Sequence, residues 1–191
     1  MYRLAALPLA VLLASTVAAC GGKQVSTTPT SSAPEQRTTA QQQPSPQVSP
    51  SPSVASVGDT LTLTGTETDE KVAVTVVKVV DPAAGKDEFS SPDSGKRLVA
   101  VQFRLKNVGA QVFDDAPDND AKVKDTQGQQ FDPSFSETSA GPGFGGSVTL
   151  TPGDTALGFI TFEVPATSKV TKIQFTLNSG FANNAGQWNV P

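Results

Sequence analysis

The chain has 191 residues, enough for one domain of ordinary size beside shorter segments, and it carries 14 basic and 18 acidic residues. It contains no histidine and a single cysteine, Cys20, which excludes histidine-based catalytic arrangements, histidine metal sites and an intramolecular disulfide. Because Arg3, Lys23, Arg37 and Glu35 are the charged residues before residue 57, the remainder has a net charge of −6, which argues against nucleic acid as a partner and against electrostatic adsorption of the domain to anionic lipid.

Residues 1–19 are predicted to be a signal peptide. The stretch after Arg3 is apolar but too short and too rich in alanine to span a bilayer comfortably. It ends in Val17, Ala18, Ala19 and Cys20, which resembles the lipobox of bacterial lipoproteins. The resemblance implies cleavage before Cys20 and a diacylglyceryl group on its thiol, with acyl chains such as palmitate holding the chain on the extracytoplasmic face of the cell membrane. An uncleaved N-terminal anchor is the alternative.

Residues 20–56 are predicted to be the lipidated cysteine followed by a disordered linker. The stretch is rich in Ser, Thr, Pro and Gln and has no aromatic residue, so it offers little apolar surface to offset the entropy of ordering. A flexible chain over residues 23–56 spans about 30 Å, which predicts a domain held tens of Å from the membrane. Partner binding by its Pro-x-x-Pro-like pieces and glycosylation of its hydroxyls are alternatives to a plain spacer.

Residues 57–191 are predicted to form one all-β domain, because short apolar runs of period two are separated by turn residues. The first strands are predicted over 59–65 and 71–81. In the second, Val72, Val74 and Val76 lie on one face and Val77 and Val79 on the other, and this switch indicates a bulge or a strand covered on both sides. The clearest strand covers 98–107, with Val99, Val101, Phe103 and Leu105 on one face.

Further strands are predicted over 121–125, 148–150, 156–164 and 169–178, and Trp188 is expected to close the core. Pro165 ends the third of these because it removes a backbone donor from the sheet. Seven to nine strands without intervening helices predict antiparallel sheets packed face to face.

The order of these elements resembles that of the bacterial DUF4352 domain. The resemblance is carried by Gly95 to Asn107, Asp125 to Phe131, Leu150-Thr-Pro-Gly153 and Phe162-Glu-Val-Pro165. It implies an immunoglobulin-like β-sandwich related to a secreted mycobacterial antigen, and a setting on actinobacterial lipoproteins. Since the family has no agreed catalytic residues, the resemblance implies a fold and a location without a reaction.

The acidic cluster of Asp114, Asp115, Asp118 and Asp120, with Asn119, is the most concentrated set of oxygen ligands, which calcium prefers. The spacing departs from an EF-hand loop, because the fifth position is Lys122 and no glutamate falls at the twelfth. A solvated turn around Pro117 is the competing interpretation. No other cofactor is indicated.

Paired carboxylates could support glycoside hydrolysis without histidine, using two of Asp114, Asp115, Asp118, Asp132 or Glu137. Sugar sites also depend on stacking by Trp and Tyr, and residues 57–191 have one tryptophan and no tyrosine. A groove holding a carboxylate of raised pKa would favour the hydrolase. The sequence otherwise predicts a protein that is not an enzyme.

Several side chains remain as candidate contacts. Phe144, in a glycine-rich loop, is either an exposed contact for a partner or a plug at the open end of the sandwich, and Phe89 and Phe181 lie in similar segments. Arg97 and Arg104 are either anchors of a polar interface or members of cross-strand ion pairs. The sequence thus predicts a monomeric, lipid-anchored binding module for an envelope partner, with a structural spacer as the alternative.

Overall fold

The computed structural model describes residues 23–30 and 54–191. The predicted signal peptide, the lipobox with Cys20, and residues 31–53 of the predicted linker lie outside the described residues. No helix in the described ranges is long and apolar enough to cross a membrane.

The described residues form three sheets, whose pairings are antiparallel except for one parallel pair at an edge. Two single turns of 3₁₀ helix, Glu88–Ser90 and Pro117–Asn119, lie between strands. The strands are β1 (Gln24–Ser26), β2 (Thr60–Thr64), β3 (Lys71–Ala83), β4 (Lys96–Asn107), β5 (Phe113–Asp115), β6 (Ala121–Asp125), β7 (Gln130–Phe131), β8 (Val148–Leu150), β9 (Thr155–Pro165), β10 (Val170–Thr176) and β11 (Asn184–Asn189).

The two larger sheets pack face to face as an immunoglobulin-like β-sandwich, as the sequence predicts. One has the strand order β1-β11-β10-β6-β7, the other β2-β3-β4-β9, and β5 pairs with β8 beside them. Every second side chain along the strands points between the two sheets, and these apolar side chains fill the core. The rings of Phe103 and Phe175 pack there with centroids 5.1 Å apart. Trp188 is fully buried, as predicted, and its indole nitrogen donates to the carbonyl of Asp59 at 2.9 Å.

Strand β3 contains the predicted bulge. Its pairing with β4 shifts register between Val76 and Lys78, so one extra residue interrupts the alternation. Val79 consequently packs against the same core as Val74 and Val76. The assignment of Val79 to the opposite face is therefore wrong, because the bulge itself restores the inward face.

Part of the predicted disordered linker is an ordered strand, β1. Gln24–Ser26 pairs in parallel with Asn184, Ala185 and Gly186 of β11, and the backbone N–H of Thr30 donates to the carbonyl of Thr60 at 2.9 Å. The prediction of disorder is wrong for residues 23–30, because backbone pairing with an open sheet edge supplies hydrogen bonds that composition does not reveal. Ala55, fully buried, likewise belongs to the domain.

Candidate functional site

Residues 132–146, which we name the cover loop, run across the free edge and outer face of the four-stranded sheet. The N–H of Ser134 donates to the carbonyl of Thr161 at 2.7 Å, and the N–H of Phe159 donates to the carbonyl of Pro142 at 2.9 Å. A further bridge joins Thr138 to Gly85. The loop therefore satisfies backbone groups of β9 that an open edge would leave to another chain.

Close packing at two glycines holds the cover loop down. A side chain at Gly158 would begin 2.7 Å from the ring of Phe144, and one at Gly141, whose φ is +152°, would begin 2.6 Å from the ring of Phe159. Phe144 is half-buried and packs against the main core. Of the two predicted roles for Phe144, the structure favours the plug over the exposed contact.

A cleft of about 670 Å³ opens between the cover loop and the 3₁₀ turn Pro117–Asn119. Its volume is in the range of small-molecule sites. Phe135, fully exposed at its rim, and the rings of Phe144 and Phe159 supply apolar surface. The polar lining includes Lys86, Asp118, Asn119, Asp132, Glu137 and Thr161.

The carboxylates of the cleft differ in environment. Burial without a cationic partner raises the pKa of Asp118 above its ordinary value. Asp132 pairs with Lys122, and Glu137 accepts from the ammonium of Lys86 at 2.9 Å. The structure thus brings three of the five proposed hydrolase carboxylates to one cleft, and two of them already have lysine partners.

The structure divides the four predicted calcium ligands. Asp114 is exposed and accepts from the hydroxyl of Thr149 at 2.9 Å, and Asp118 faces the cleft. Asp115 and Asp120 are buried together. Within residues 23–30 and 54–191, no group of three or more His, Cys, Asp or Glu side chains is arranged to hold a metal ion, so the four-carboxylate arrangement is not formed.

Asp115 and Asp120 instead hold the turn between β10 and β11. Asp115 accepts from the N–H and the hydroxyl of Ser179 at 2.9 and 3.0 Å, and Asp120 accepts from the N–H of Gly180 at 3.3 Å. Asn178 and Ser179 have φ values of +58° and +51°, which side chains rarely adopt. Burial, reinforced by the charge of Asp115, raises the pKa of Asp120 to about 9, so Asp120 is protonated at neutral pH.

The remaining candidate residues have separate roles. The side chains of Phe89 and Phe181 are 89% and 80% exposed. With Phe135, they are the exposed aromatic side chains of the described residues. Arg97 forms the predicted cross-strand ion pair, with Nε and Nη2 donating to the two oxygens of Asp81 at 2.6 and 2.9 Å. Arg104 is exposed and makes no ion pair within the described part of the chain.

The sequence pattern alone does not identify Phe135 and Phe159 as residues of a site. Phe159 precedes the core residue Ile160 on the same strand, and successive side chains of a strand face opposite sides. The sequence could therefore have indicated that Phe159 is an apolar residue on the outer face of the sheet. No pattern in the sequence indicates that residues 132–146 fold back over β9.

Comparison with known proteins gives a family and a fold. The family model described as a domain of unknown function, DUF4352, matches residues 63–185. The secreted protein MPT63 of Mycobacterium tuberculosis has a similar structure, with a TM-score of 0.50 and 17% identity over 71% of this chain and 95% of that one. At that identity the likeness shows a shared fold.

The ycdA protein of Bacillus subtilis, named as a lipoprotein candidate, has a TM-score of 0.49 and 16% identity. The match covers 66% of this chain and 38% of the ycdA chain, so this chain spans well under half of that protein. No curated protein matches the chain.

Proposed function

Because the chain belongs to the DUF4352 family, whose description names no activity, we propose a function from its own residues: a lipid-anchored, extracytoplasmic lipoprotein that displays a non-catalytic binding domain in the cell envelope. The observation that carries the location is the sequence Val17-Ala18-Ala19-Cys20 at the end of a short apolar stretch. A diacylglyceryl group on Cys20 supplies two acyl chains, which suffice for stable attachment.

The surface of the domain supports binding rather than a spacer role. A spacer needs only a polar surface, whereas this domain keeps a cleft of about 670 Å³ with Phe135 exposed at its rim. An exposed ring beside a concave, partly apolar surface is typical of a contact site. The cleft is therefore the proposed binding site for the envelope partner.

Cell fractionation tests the anchor. The wild type and Cys20→Ser are expressed with the whole leader, and Ser15→Ala serves as a matched control that changes the leader but keeps the cysteine. Loss of Cys20→Ser from the membrane fraction, with Ser15→Ala retained, is expected. Retention of Cys20→Ser with its leader attached would show instead that residues 4–19 are the anchor.

Site-specific photo-crosslinking in intact cells tests the cleft. A photoreactive amino acid replaces Phe135 at the rim, and the control replaces Val112, which is 54% exposed and outside the cleft lining. A defined adduct at position 135 and none at position 112 is the expected result. Equal absence of adducts at both positions would favour the spacer.

A carboxylate hydrolase is the second candidate, and the raised pKa of Asp118 in a cleft is the observation that favours it. Incubation of the wild type and Asp118→Asn with soluble cell-wall glycans, followed by mass spectrometry, separates the two functions. Binding predicts that the glycans are recovered uncut from both proteins. Cleavage by the wild type that Asp118→Asn abolishes would establish the hydrolase.

A further inference from the structure

Strand β1 limits the distance between the domain and the proposed lipid anchor on Cys20. The N–H of Gln24 donates to the carbonyl of Asn183 at 2.7 Å, and the ammonium of Lys23 donates to the carbonyl of Gly180 at 2.6 Å. Cys20 precedes Lys23 by three residues, which even a fully extended chain spans in about 11 Å. A lipid on Cys20 therefore places this edge of the sandwich within about 11 Å of the bilayer surface, not tens of Å from it.

The charged side chains that the five strands place on the outer face of their sheet are all basic. Lys122 and Lys124 on β6 alternate with the buried Val123, and Lys172 on β10 is the direct neighbour of Lys124. The five strands of this sheet contain one acidic residue, Asp125, which is buried. The face is thus basic although residues 57–191 are acidic overall.

Ion pairing leaves most of this charge available. Lys122 pairs with Asp132, which follows β7. Lys124 and Lys172 make no ion pair within the described ranges. An anionic surface laid against this face would therefore meet two lysines that have no acidic partner.

The start of the tether lies on the same face. Lys23 and Val25 line one depression together with Lys122, Gln174, Asn119 and Asp120, the last of which is protonated at neutral pH. Val25 is 48% exposed, and Phe181, beside the turn that Lys23 contacts, is 80% exposed. Exposed apolar side chains next to basic ones are the composition that favours the headgroup region of a bilayer.

We propose that the outer face of the five-stranded sheet lies against the anionic headgroups of the bilayer that holds the lipid of Cys20. This inference rests on the proposed lipid anchor. The anchor limits the distance, and Lys124 and Lys172 select the face. The outer face of the four-stranded sheet, which the cover loop crosses, then faces away from the membrane. The cleft lies at the edge between the two faces, because Asn119 lines both the cleft and the depression on the five-stranded sheet.

Depth-dependent fluorescence quenching tests the orientation. Cys20 is the chain's only cysteine, so in the lipidated protein an introduced cysteine is the sole thiol for a fluorophore. Gln187→Cys, on the outer face of the five-stranded sheet, is compared with Gln102→Cys, on the outer face of the four-stranded sheet; both positions are half-buried. Each labelled protein is reconstituted in vesicles of phosphatidylcholine and phosphatidylglycerol that contain a lipid with a nitroxide headgroup.

Strong quenching at position 187 and weak quenching at position 102 is expected. Lys124→Gln with Lys172→Gln should reduce the ratio of contacting to detached domain roughly fivefold for each lysine, as should vesicles without phosphatidylglycerol. The matched control, Lys78→Gln with Lys106→Gln on the other sheet, should leave quenching at position 187 unchanged.

The intact mass of the same preparations separates the two ways of failing. A lipidated protein quenched equally at positions 187 and 102, or quenched at 187 regardless of the lysines, would overturn the proposed orientation alone. A membrane-bound protein without the added lipid mass would overturn the proposed anchor and the orientation together.

Discussion

Asp120 and Asp115 are two buried carboxyl groups that hold neighbouring residues of the same turn, Gly180 and Ser179. Three hydrogen bonds, from Ser179 and from the N–H of Ala116, satisfy the oxygens of Asp115. Oδ2 of Asp120 is buried and has no hydrogen-bond partner among the described residues, an environment that favours the neutral carboxyl group over the carboxylate. The pair therefore links the region of β5 and β6 to the turn after β10.

This pair predicts that the domain loses stability as the pH rises. Folded Asp120 keeps its proton to about pH 9, whereas the unfolded chain releases it near the ordinary value of 3.8. Between these values the unfolded state binds fewer protons, so the free energy of unfolding falls with increasing pH and levels off above about pH 9. Urea unfolding from pH 5 to pH 8 should show a fall of at most about 4 kcal/mol from this group.

Asp120→Asn isolates the contribution of the pair. The amide keeps the shape of the protonated acid and has no proton to release, so the stability of the variant should depend much less on pH and should exceed that of the wild type at pH 8. Asp114→Asn, at an exposed position, should retain the slope of the wild type. Parallel profiles for the wild type and Asp120→Asn would contradict the protonated state of Asp120 in the folded domain.

The bidentate ion pair of Arg97 predicts that replacing Arg97 destabilises the domain more than replacing Arg104. Arg97 also donates to the carbonyl of Pro165 at 2.7 Å, so it links β3, β4 and the end of β9. Arg97→Ala should lower the free energy of unfolding by about 1–3 kcal/mol. Arg104→Ala should change it by less than about 0.5 kcal/mol. Equal urea midpoints for the two variants would show that the Arg97 contacts add nothing.

Substitutions of the two aromatic residues of the cover loop should have different effects, one on the stability of the domain and the other on partner binding. Phe144→Ala removes a half-buried ring from the core and should cost about 1–3 kcal/mol of unfolding free energy. Phe135→Ala alters a fully exposed ring and should leave the melting temperature unchanged while it weakens partner capture. A lower melting temperature for Phe135→Ala would place its ring in a contact that the structure lacks.

Calcium should not stabilise the domain. The carboxylates of Asp114 and Asp118 do not join the buried pair of Asp115 and Asp120. Thermal unfolding in millimolar calcium should therefore match unfolding in equal magnesium and in chelator, because a ligand shifts the midpoint only when it binds the folded state. A rise of the midpoint specific to calcium would restore the metal site predicted from the sequence.

Strands with one buried face were predictable from the sequence. The alternation of Val99, Val101, Phe103 and Leu105 identified β4, and all four side chains are fully buried. The valine switch located the bulge in β3. Such strands are specified locally, because one register alone buries the apolar set.

Strand β1, the cover loop and the aspartate pair depend on contacts between segments that lie apart in the sequence, and local patterns do not encode such contacts. Strand β1 has three residues and pairs through its backbone, so nothing in Gln-Val-Ser distinguishes it from the rest of a polar stretch. The cover loop is held by isolated bridges to β9. Sequence adjacency grouped four aspartates as ligands, whereas the fold paired Asp115 with Asp120 across the 3₁₀ turn Pro117–Asn119 and left Asp114 in solvent.

The intact mass of the membrane-bound wild-type chain decides whether the protein is held in the membrane by a lipid on Cys20. If the protein is lipid-anchored, this chain begins at Cys20, lacks residues 1–19 and carries a diacylglyceryl group on the thiol of Cys20. A membrane-bound chain that retains residues 1–19, with an unmodified Cys20, would contradict the lipid anchor.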